Sequence, residues 1–261
     1  MPGNYAHYRF GQAILPTLPP EVRRTVGRFR QLFDMGLHGP DILFYHDLLL
    51  KGTVARQGHK LHSQTGKTFF ERACRAVRMN HTEGARAYLY GLLAHYALDS
   101  LCHPYINRTV EAGIGTHRGI ETEFDRYLLE LDGKSPAHRY DQSVHMRLTP
   151  GECETAALFF PNISAGAVSR SVKNMAACAR ILALPKGSRR DMLSKTMGLI
   201  RPGTADLVIP VRGDPHLVGV DADLLVLFDS AREQYAALLD QIRTHLRKKT
   251  PLGPDFTLPF G

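Results

Sequence analysis

The chain of 261 residues has no tryptophan, and its four cysteines form no CxxC pair. A chain of this length does not need disulfides to fold, so we expect reduced thiols and a cytoplasmic setting. The N-terminal stretch MPGNYAHYRFGQAIL has no basic region followed by an unbroken apolar run. It therefore does not match a secretory signal, and export is not expected.

Charge is missing from one long stretch, since residues 87–107 contain no Lys, Arg or Glu. The stretch is long enough to suggest a membrane span. However, it contains His95, Asp99 and His103, each of which is costly at membrane depth. We therefore expect a buried helix here and no transmembrane segment, while peripheral contact with a membrane surface stays open.

The composition is that of a folded protein, with 43% hydrophobic and 22% charged residues. The length suits one large domain spanning residues 1–261. There are 33 Lys plus Arg against 25 Asp plus Glu, a formal net charge of +8. This excess favours anionic partners, namely phosphate esters, anionic lipid surfaces or nucleic acid, without choosing among them.

Apolar residues recur at helical spacing almost throughout, which predicts an all-α fold. Gly and Pro residues in GLHGPD predict a loop at 36–41, and the stretch 205–215 reads as a short extended piece. The tail from Thr250 is rich in Pro and Gly and reads as irregular. We predict helices over residues 5–15, 21–35, 60–79, 83–103, 116–131, 151–160, 164–184, 188–200 and 221–248.

The stretch 87–107, which we expect to form a buried apolar helix, contains a first group of polar residues in the sequence HYALDSLCHP. His95 and Asp99, at i and i+4, share one face, and no Lys or Arg lies within a turn to pair with the carboxylate. A buried carboxylate must be paired or bind a metal, and imidazole and carboxylate are normal zinc ligands. His103 follows four residues later, and Pro104 predicts that the helix ends there. Asp99 could then bridge two ions, as in enzymes that cleave phosphate esters.

A second pair, His117 and Glu121, stands at i and i+4 at the start of the next helix, where Thr116 is a candidate N-cap. Other readings remain open at this point. His95 and Asp99 could be a hydrogen-bonded core pair with no metal, and His117 and Glu121 an exposed pair at a helix start.

The runs AYLYGLLAHYALDSLCHPYI and HRGIETEFD, preceded by GPDILFY and KLH, resemble the zinc-dependent phospholipase C family, whose fold is related to that of single-strand-specific zinc nucleases. The resemblance covers about residues 5–130 and is closest to the bacterial branch that lacks a signal peptide. It implies an all-α domain that holds two or three Zn²⁺ ions in a cleft.

The resemblance also implies roles for eight residues. Asp41 would bind the first zinc and act as a catalytic base, with His62 and His95 as further ligands of that ion. Asp99 would bridge two ions. His7 would hold a third ion beside the N-terminal amine. The ligands of the remaining ion would be His103, His117 and Glu121.

Two features depart from the family pattern. Secreted members begin with a Trp whose amine and carbonyl bind zinc, and this chain has no Trp. Removal of Met1 would leave a Pro2 amine as a substitute. In addition, only four positions separate Asp99 from His103, so the geometry of that site is expected to differ.

The implied activity is hydrolysis of a phosphodiester, with a phospholipid as the first candidate substrate. A nuclease or a small-phosphoester hydrolase of the same fold is the alternative, and a non-catalytic metal-binding helical module is the rival from another class. No stable nucleic-acid partner is predicted. Phe44, Tyr45, Tyr96 and Tyr105 could stack on a base, although packing is the commoner use of such side chains.

Overall fold

The computed structural model describes residues 3–47, 52–183 and 205–259, with residues 187, 192, 195, 196 and 199 between the last two ranges. In these residues the regular structure consists of α-helices and short 3-10 helices without strands, so the all-α prediction is confirmed. The α-helices are α1 (Asn4–Ile14), α2 (Pro20–Arg28), α3 (Arg30–Gly36), α4 (Thr53–His62), α5 (Gly66–Asn80), α6 (Glu83–Glu111), α7 (His117–Leu131), α8 (Pro150–Ala157), α9 (Ala165–Leu182) and α10 (Val218–Lys248).

Helix α6 is the centre of the fold. It is the apolar helix of the sequence, and nearly every side chain from Gly84 to Ser100 is buried. Helices α3 and α10 make the most extensive contacts with it, and α1, α2, α5, α7 and α8 also pack against it. A helix that is apolar on all sides is stable only when other elements cover each side, and this arrangement provides that cover.

Two glycines allow α3 and α6 to approach each other closely. A Cβ atom on Gly91 would lie 2.2 Å from the Phe33 carbonyl oxygen, and one on Gly36 would lie 2.5 Å from the Tyr88 carbonyl oxygen. These neighbours are backbone atoms, which cannot move aside as a flexible side chain can. The crossing of α3 and α6 therefore requires glycine at both positions.

Two helix predictions in the N-terminal third of the chain were wrong in their boundaries. The segment 21–35 is divided into α2 and α3 at Phe29, whose φ of −120° and ψ of 47° are not helical. This bend lets both short helices contact α6. The predicted helix 60–79 begins only at Gly66, because Thr65 caps α5 by accepting a hydrogen bond from the Thr68 N–H. Residues 53–62 form a separate helix that the apolar pattern did not reveal.

The helix predicted over 83–103 continues through Pro104 to Glu111, so the prediction that His103 ends it was wrong. Pro104 is exposed, and its ring therefore displaces no packed side chain. Proline disfavours a helix by a few kcal/mol, a cost that the extensive packing of α6 on both sides of this position offsets.

Other segments differ in detail. Residues 205–215 are not extended: the regular element there is a 3-10 turn, Ala205–Leu207. Most of the predicted helix 188–200 lies outside the described residues. Within the part of the chain that is described, no helix has the length and apolar character needed to cross a membrane.

The close crossing of α3 and α6 predicts that Gly91→Ala destabilises the protein by about 2–3 kcal/mol, because the added methyl group meets backbone atoms and forces the helices apart. Gly27→Ala is the matched control, since no atom lies within 4 Å of a Cβ atom there. It should be neutral or stabilising by up to about 1 kcal/mol. Urea unfolding of both variants measures the difference, and equal stabilities would contradict this account of the crossing.

Candidate metal centre

Five separate elements carry the eight residues that the sequence analysis singled out. Helix α6 presents His95, Asp99 and His103 at intervals of four, which places them along one face. Helix α7 presents His117 and Glu121 in the same way, beginning at Thr116, whose hydroxyl accepts a hydrogen bond from the Gly119 N–H. The remaining residues lie on α1 (His7), on the 3-10 helix Gly39–Tyr45 (Asp41) and at the end of α4 (His62).

The structure brings all eight residues together in three groups. In each group the candidate ligand atoms lie within 4.8 Å of one another, and each group consists of two imidazoles and one carboxylate. The groups are His7, His95 and Asp99; Asp41, His62 and His95; and His103, His117 and Glu121. Because His95 belongs to two groups, the first two are contiguous.

Asp99 is the centre of this arrangement and has no exposed surface. Its Oδ2 lies 3.0 Å from His95 Nε2, and its Oδ1 lies 3.2 Å from His7 Nε2 and 3.7 Å from His103 Nε2. Neither oxygen accepts a hydrogen bond of regular geometry from any described residue. The carboxylate is therefore surrounded by three imidazole nitrogens without being satisfied by hydrogen bonds.

Burial opposes ionisation of Asp99, but the neighbouring imidazoles of His95, His103 and His7 hold its pKa well below the ordinary value. Burial also lowers the pKa of His7, and His95 lowers it further. At His95 burial again acts to lower the pKa, but the carboxylates of Asp99 and Asp41 outweigh it and the pKa is raised. The imidazoles thus favour the ionised form of Asp99, and the carboxylates favour the protonated form of His95.

Asp41 contacts the imidazole of His62 through Oδ1, and its Oδ2 lies 3.9 Å from His95 Nε2. The turn that leads into it depends on Gly39, which has a positive φ of +51°. A Cβ atom on Gly39 would also lie 2.5 Å from the His95 ring. Both the backbone conformation and the close approach of the ring explain why glycine stands in GPD.

The third group lies at the more open end of the site. His117 Nε2 lies 2.8 Å from Glu121 Oε1, and the His103 and His117 rings are 5.1 Å apart between centroids. Burial lowers the pKa of His103 to about 2 and that of His117 to about 4. Both imidazoles are therefore neutral at pH 7, which is the form that binds a metal ion.

Two hydrogen bonds fix the orientation of imidazole rings, and the sequence analysis missed both acceptors. His95 Nδ1 donates to the Leu37 carbonyl oxygen over 3.1 Å, and His117 Nδ1 donates to Asn107 Oδ1 over 3.1 Å. In the neutral ring, each bond leaves Nε2 as the nitrogen whose lone pair is available to a metal ion. Backbone carbonyls and amides hold metal-binding histidines in this way. Asn107 lies four residues after His103 on α6. This interval is visible in the sequence and places Asn107 on the same face of the helix as His103.

Helix α1, which carries His7, is held by a carboxylate from α7. Asp125 accepts hydrogen bonds from the backbone N–H groups of Tyr5 and Ala6, over 3.0 and 2.8 Å. It thus caps the N-terminus of α1 from another helix. Gly3 lies so close that a Cβ atom there would be 2.2 Å from the Asp125 carboxyl group. The position of His7 therefore depends on α7.

Several other histidines lie outside the three groups. His59, three residues before His62, is exposed and its ring lies 4.5 Å from that of Phe44. His38 is buried and pairs with His145, Nε2 to Nε2 over 2.8 Å. His46 contacts the Asp47 carboxylate over 2.9 Å. The N-terminal amine expected beside His7 lies outside the described residues.

The donors fit a zinc ion. Two neutral imidazoles with one carboxylate form the protein ligand set of catalytic zinc sites that keep a position for water. The fully buried carboxylate of Asp99 calls for a compensating positive charge, which a bound Zn²⁺ would supply. Ring orientation is set by outer hydrogen bonds, as metal sites require.

The model of the family described as zinc dependent phospholipase C matches residues 6–158. No curated protein and no solved structure matches the chain. The matched range includes all three groups of candidate ligands and covers more than half of the chain. The chain therefore belongs to the zinc-dependent phospholipase C family.

Proposed function

We propose that this protein hydrolyses a phosphodiester in the manner of a phospholipase C, with Zn²⁺ held by the residues of the three groups. The observation that carries the proposal is the convergence of eight donors from five elements into groups of two imidazoles and one carboxylate. A purely structural zinc site is closed by four protein ligands, whereas these groups have three and adjoin one another. The packing of α10 on α6 also supports our proposal that residues 1–261 form one domain.

We propose two firmly held ions. His95 belongs to two groups, but its Nδ1 donates to Leu37 and only Nε2 is left for a metal. One ion would be held by Asp41, His62 and His95, and the other by His103, His117 and Glu121. Asp99, with one oxygen toward His95 and the other toward His103, would bridge between them. A third ion would have His7 and Asp99 as described ligands and would need a further donor.

Zinc at these positions would lower the pKa of a water molecule to about 7 and withdraw charge from the phosphate oxygens. The chain's own residues would supply the remaining steps. Asp41, held against His62, would orient the attacking water and accept its proton. The apolar cover of α6 would exclude bulk water, which strengthens the electrostatic interactions in the site.

For the substrate, we propose a phospholipid-type diester in preference to nucleic acid. The net charge of +8 suits either. The aromatic side chains considered for base stacking have other partners: Tyr96 contacts the C-terminal residues, Phe44 packs on His59, Asn4 donates to the Tyr45 hydroxyl, and Tyr105 donates to Asp223. The bacterial origin and cytoplasmic location expected from the sequence stay predictions.

Metal content is the most direct test of the proposed function. Protein purified without chelator should contain two zinc ions per chain by mass spectrometry, and it should hydrolyse a chromogenic phosphodiester. A chelator should abolish hydrolysis and lower the melting temperature, because ligand binding at about 100 times Kd contributes about 2.7 kcal/mol of stability. Added zinc should restore both. Zinc without turnover on lipid, nucleotide and generic diesters would instead favour a non-catalytic metal-binding module.

His62 and His59 offer a matched pair on one helix. His62→Ala should lose one zinc ion and about 100-fold in kcat/KM, because it removes an imidazole from the group that contains Asp41. His59→Ala removes an exposed ring three residues away and should change neither value. Zinc content and initial rates of the two variants decide the matter, and full zinc occupancy in His62→Ala would remove His62 from the ligand set.

Asn107 tests the outer hydrogen bond to His117. Asn107→Leu removes the acceptor for Nδ1 and should weaken zinc binding about tenfold, whereas Asn107→Asp keeps an acceptor and should retain the affinity. Asn107 is exposed, so neither change opens a cavity. Competition with a coloured chelator measures the affinity. Equal affinities in the two variants would show that the bond does not orient His117 for metal.

A further inference from the structure

A pocket lies against His103 and the buried Asp99, and the C-terminal residues form one of its sides. Pro104 and Asn107 of α6 line it beside these two residues, and Leu258 and Pro259 line it from the C-terminal segment 251–259. We infer that this segment is a wall of the substrate pocket, in which Leu258 contacts the aliphatic part of a phosphodiester. The inference rests on the proposed function and specifies its substrate class.

The C-terminal segment is fixed at the point where it meets the pocket. The Tyr96 hydroxyl donates to the carbonyl oxygens of Asp255 and Leu258, each 3.1 Å away, and the Gly66 N–H donates to the Leu258 carbonyl oxygen over 2.8 Å. Phe256 is fully buried and stacks on Tyr96, with 5.8 Å between ring centroids. The backbone of Leu258 is thus held from both α6 and α5.

The same helix carries the anchor and the candidate ligands. Tyr96 lies one turn before Asp99 on α6, so the wall and the metal centre are attached to one rigid element. Anchored in this way, Leu258 keeps a defined position relative to Asp99 and His103. The residue is still 44% exposed, and it is therefore available to a ligand that enters the pocket.

The lining suits an aliphatic ester and not a nucleobase. Its apolar part consists of Pro104, Leu258 and Pro259, and among the described lining residues there is no Phe, Tyr or Trp and no Lys or Arg. Base recognition in single-stranded nucleic acids depends on aromatic stacking and a basic groove. An alkyl or acylglycerol group next to the phosphate would instead gain from the apolar side chains. The C-terminal segment lies outside the matched range 6–158.

The test measures binding of two simple probes, methylphosphonate and hexylphosphonate, to the zinc-loaded full-length protein by calorimetry. The wild type should bind hexylphosphonate more tightly, because only its chain reaches the apolar wall. Leu258→Ala should reduce this preference, the ratio of the two Kd values, by about threefold to tenfold while leaving the Kd of methylphosphonate unchanged. Leu131→Ala, which also changes a partly exposed leucine but lies outside the pocket lining, is the control.

The outcomes separate the two proposals. The proposed wall is refuted if Leu258→Ala keeps the wild-type preference for hexylphosphonate over methylphosphonate. It is also refuted if the wild type shows no such preference. An equal loss in Leu131→Ala overturns it as well, since the effect would then not be local. A preference for hexylphosphonate that is reduced only in Leu258→Ala supports the proposed wall, whether or not the protein hydrolyses a phosphodiester. If binding shows this pattern and no diester is hydrolysed, only the proposed hydrolytic activity is refuted.

Discussion

A carboxylate with no exposed surface lies in the middle of the most apolar helix, and much of the structure serves to make this possible. Ionised Asp99 is costly in such surroundings unless positive charge or hydrogen bonds compensate it. Neighbouring residues of α6 offer imidazoles but no Lys or Arg. Compensation therefore has to come from His7 on another helix, from a proton on His95, or from a metal ion. A metal ion held by Nε2 of His95 would take the place of the proton on that nitrogen.

The surrounding fold makes these interactions rigid. The backbone-to-backbone crossing at Gly36 and Gly91 fixes α3 against α6, and α3 leads directly to the Leu37 carbonyl that orients His95. Asp125 couples α1 to α7, so the helices that carry His7 and Glu121 cannot shift independently. Donor groups from five elements can keep a fixed geometry only if the elements are tied to one another in this way.

The sequence predicted what depends on local spacing. The intervals of four along α6 and α7 were visible without a structure, and so were the Thr116 cap and the helical class of the fold. Contacts between distant residues were not predictable in the same way. The Leu37 carbonyl is 58 positions from His95, and the carbonyl of Leu258 is 162 positions from Tyr96, which the sequence analysis treated as packing. Helix α4 was missed because its apolar pattern is weak and only the fold buries its inner face.

Pro104 lies inside α6 although proline normally ends a helix, and this exception matters for the candidate site. Proline should have ended the helix after His103, yet the helix continues and Pro104 lies beside the pocket with its ring exposed. If the helix had ended at His103, Asn107 would not lie beside His117. The hydrogen bond that orients the His117 ring would then be lost. Natural sequences tend to break local rules where a site requires it. Here the continued helix places the Asn107 amide, four residues after His103, against the His117 ring.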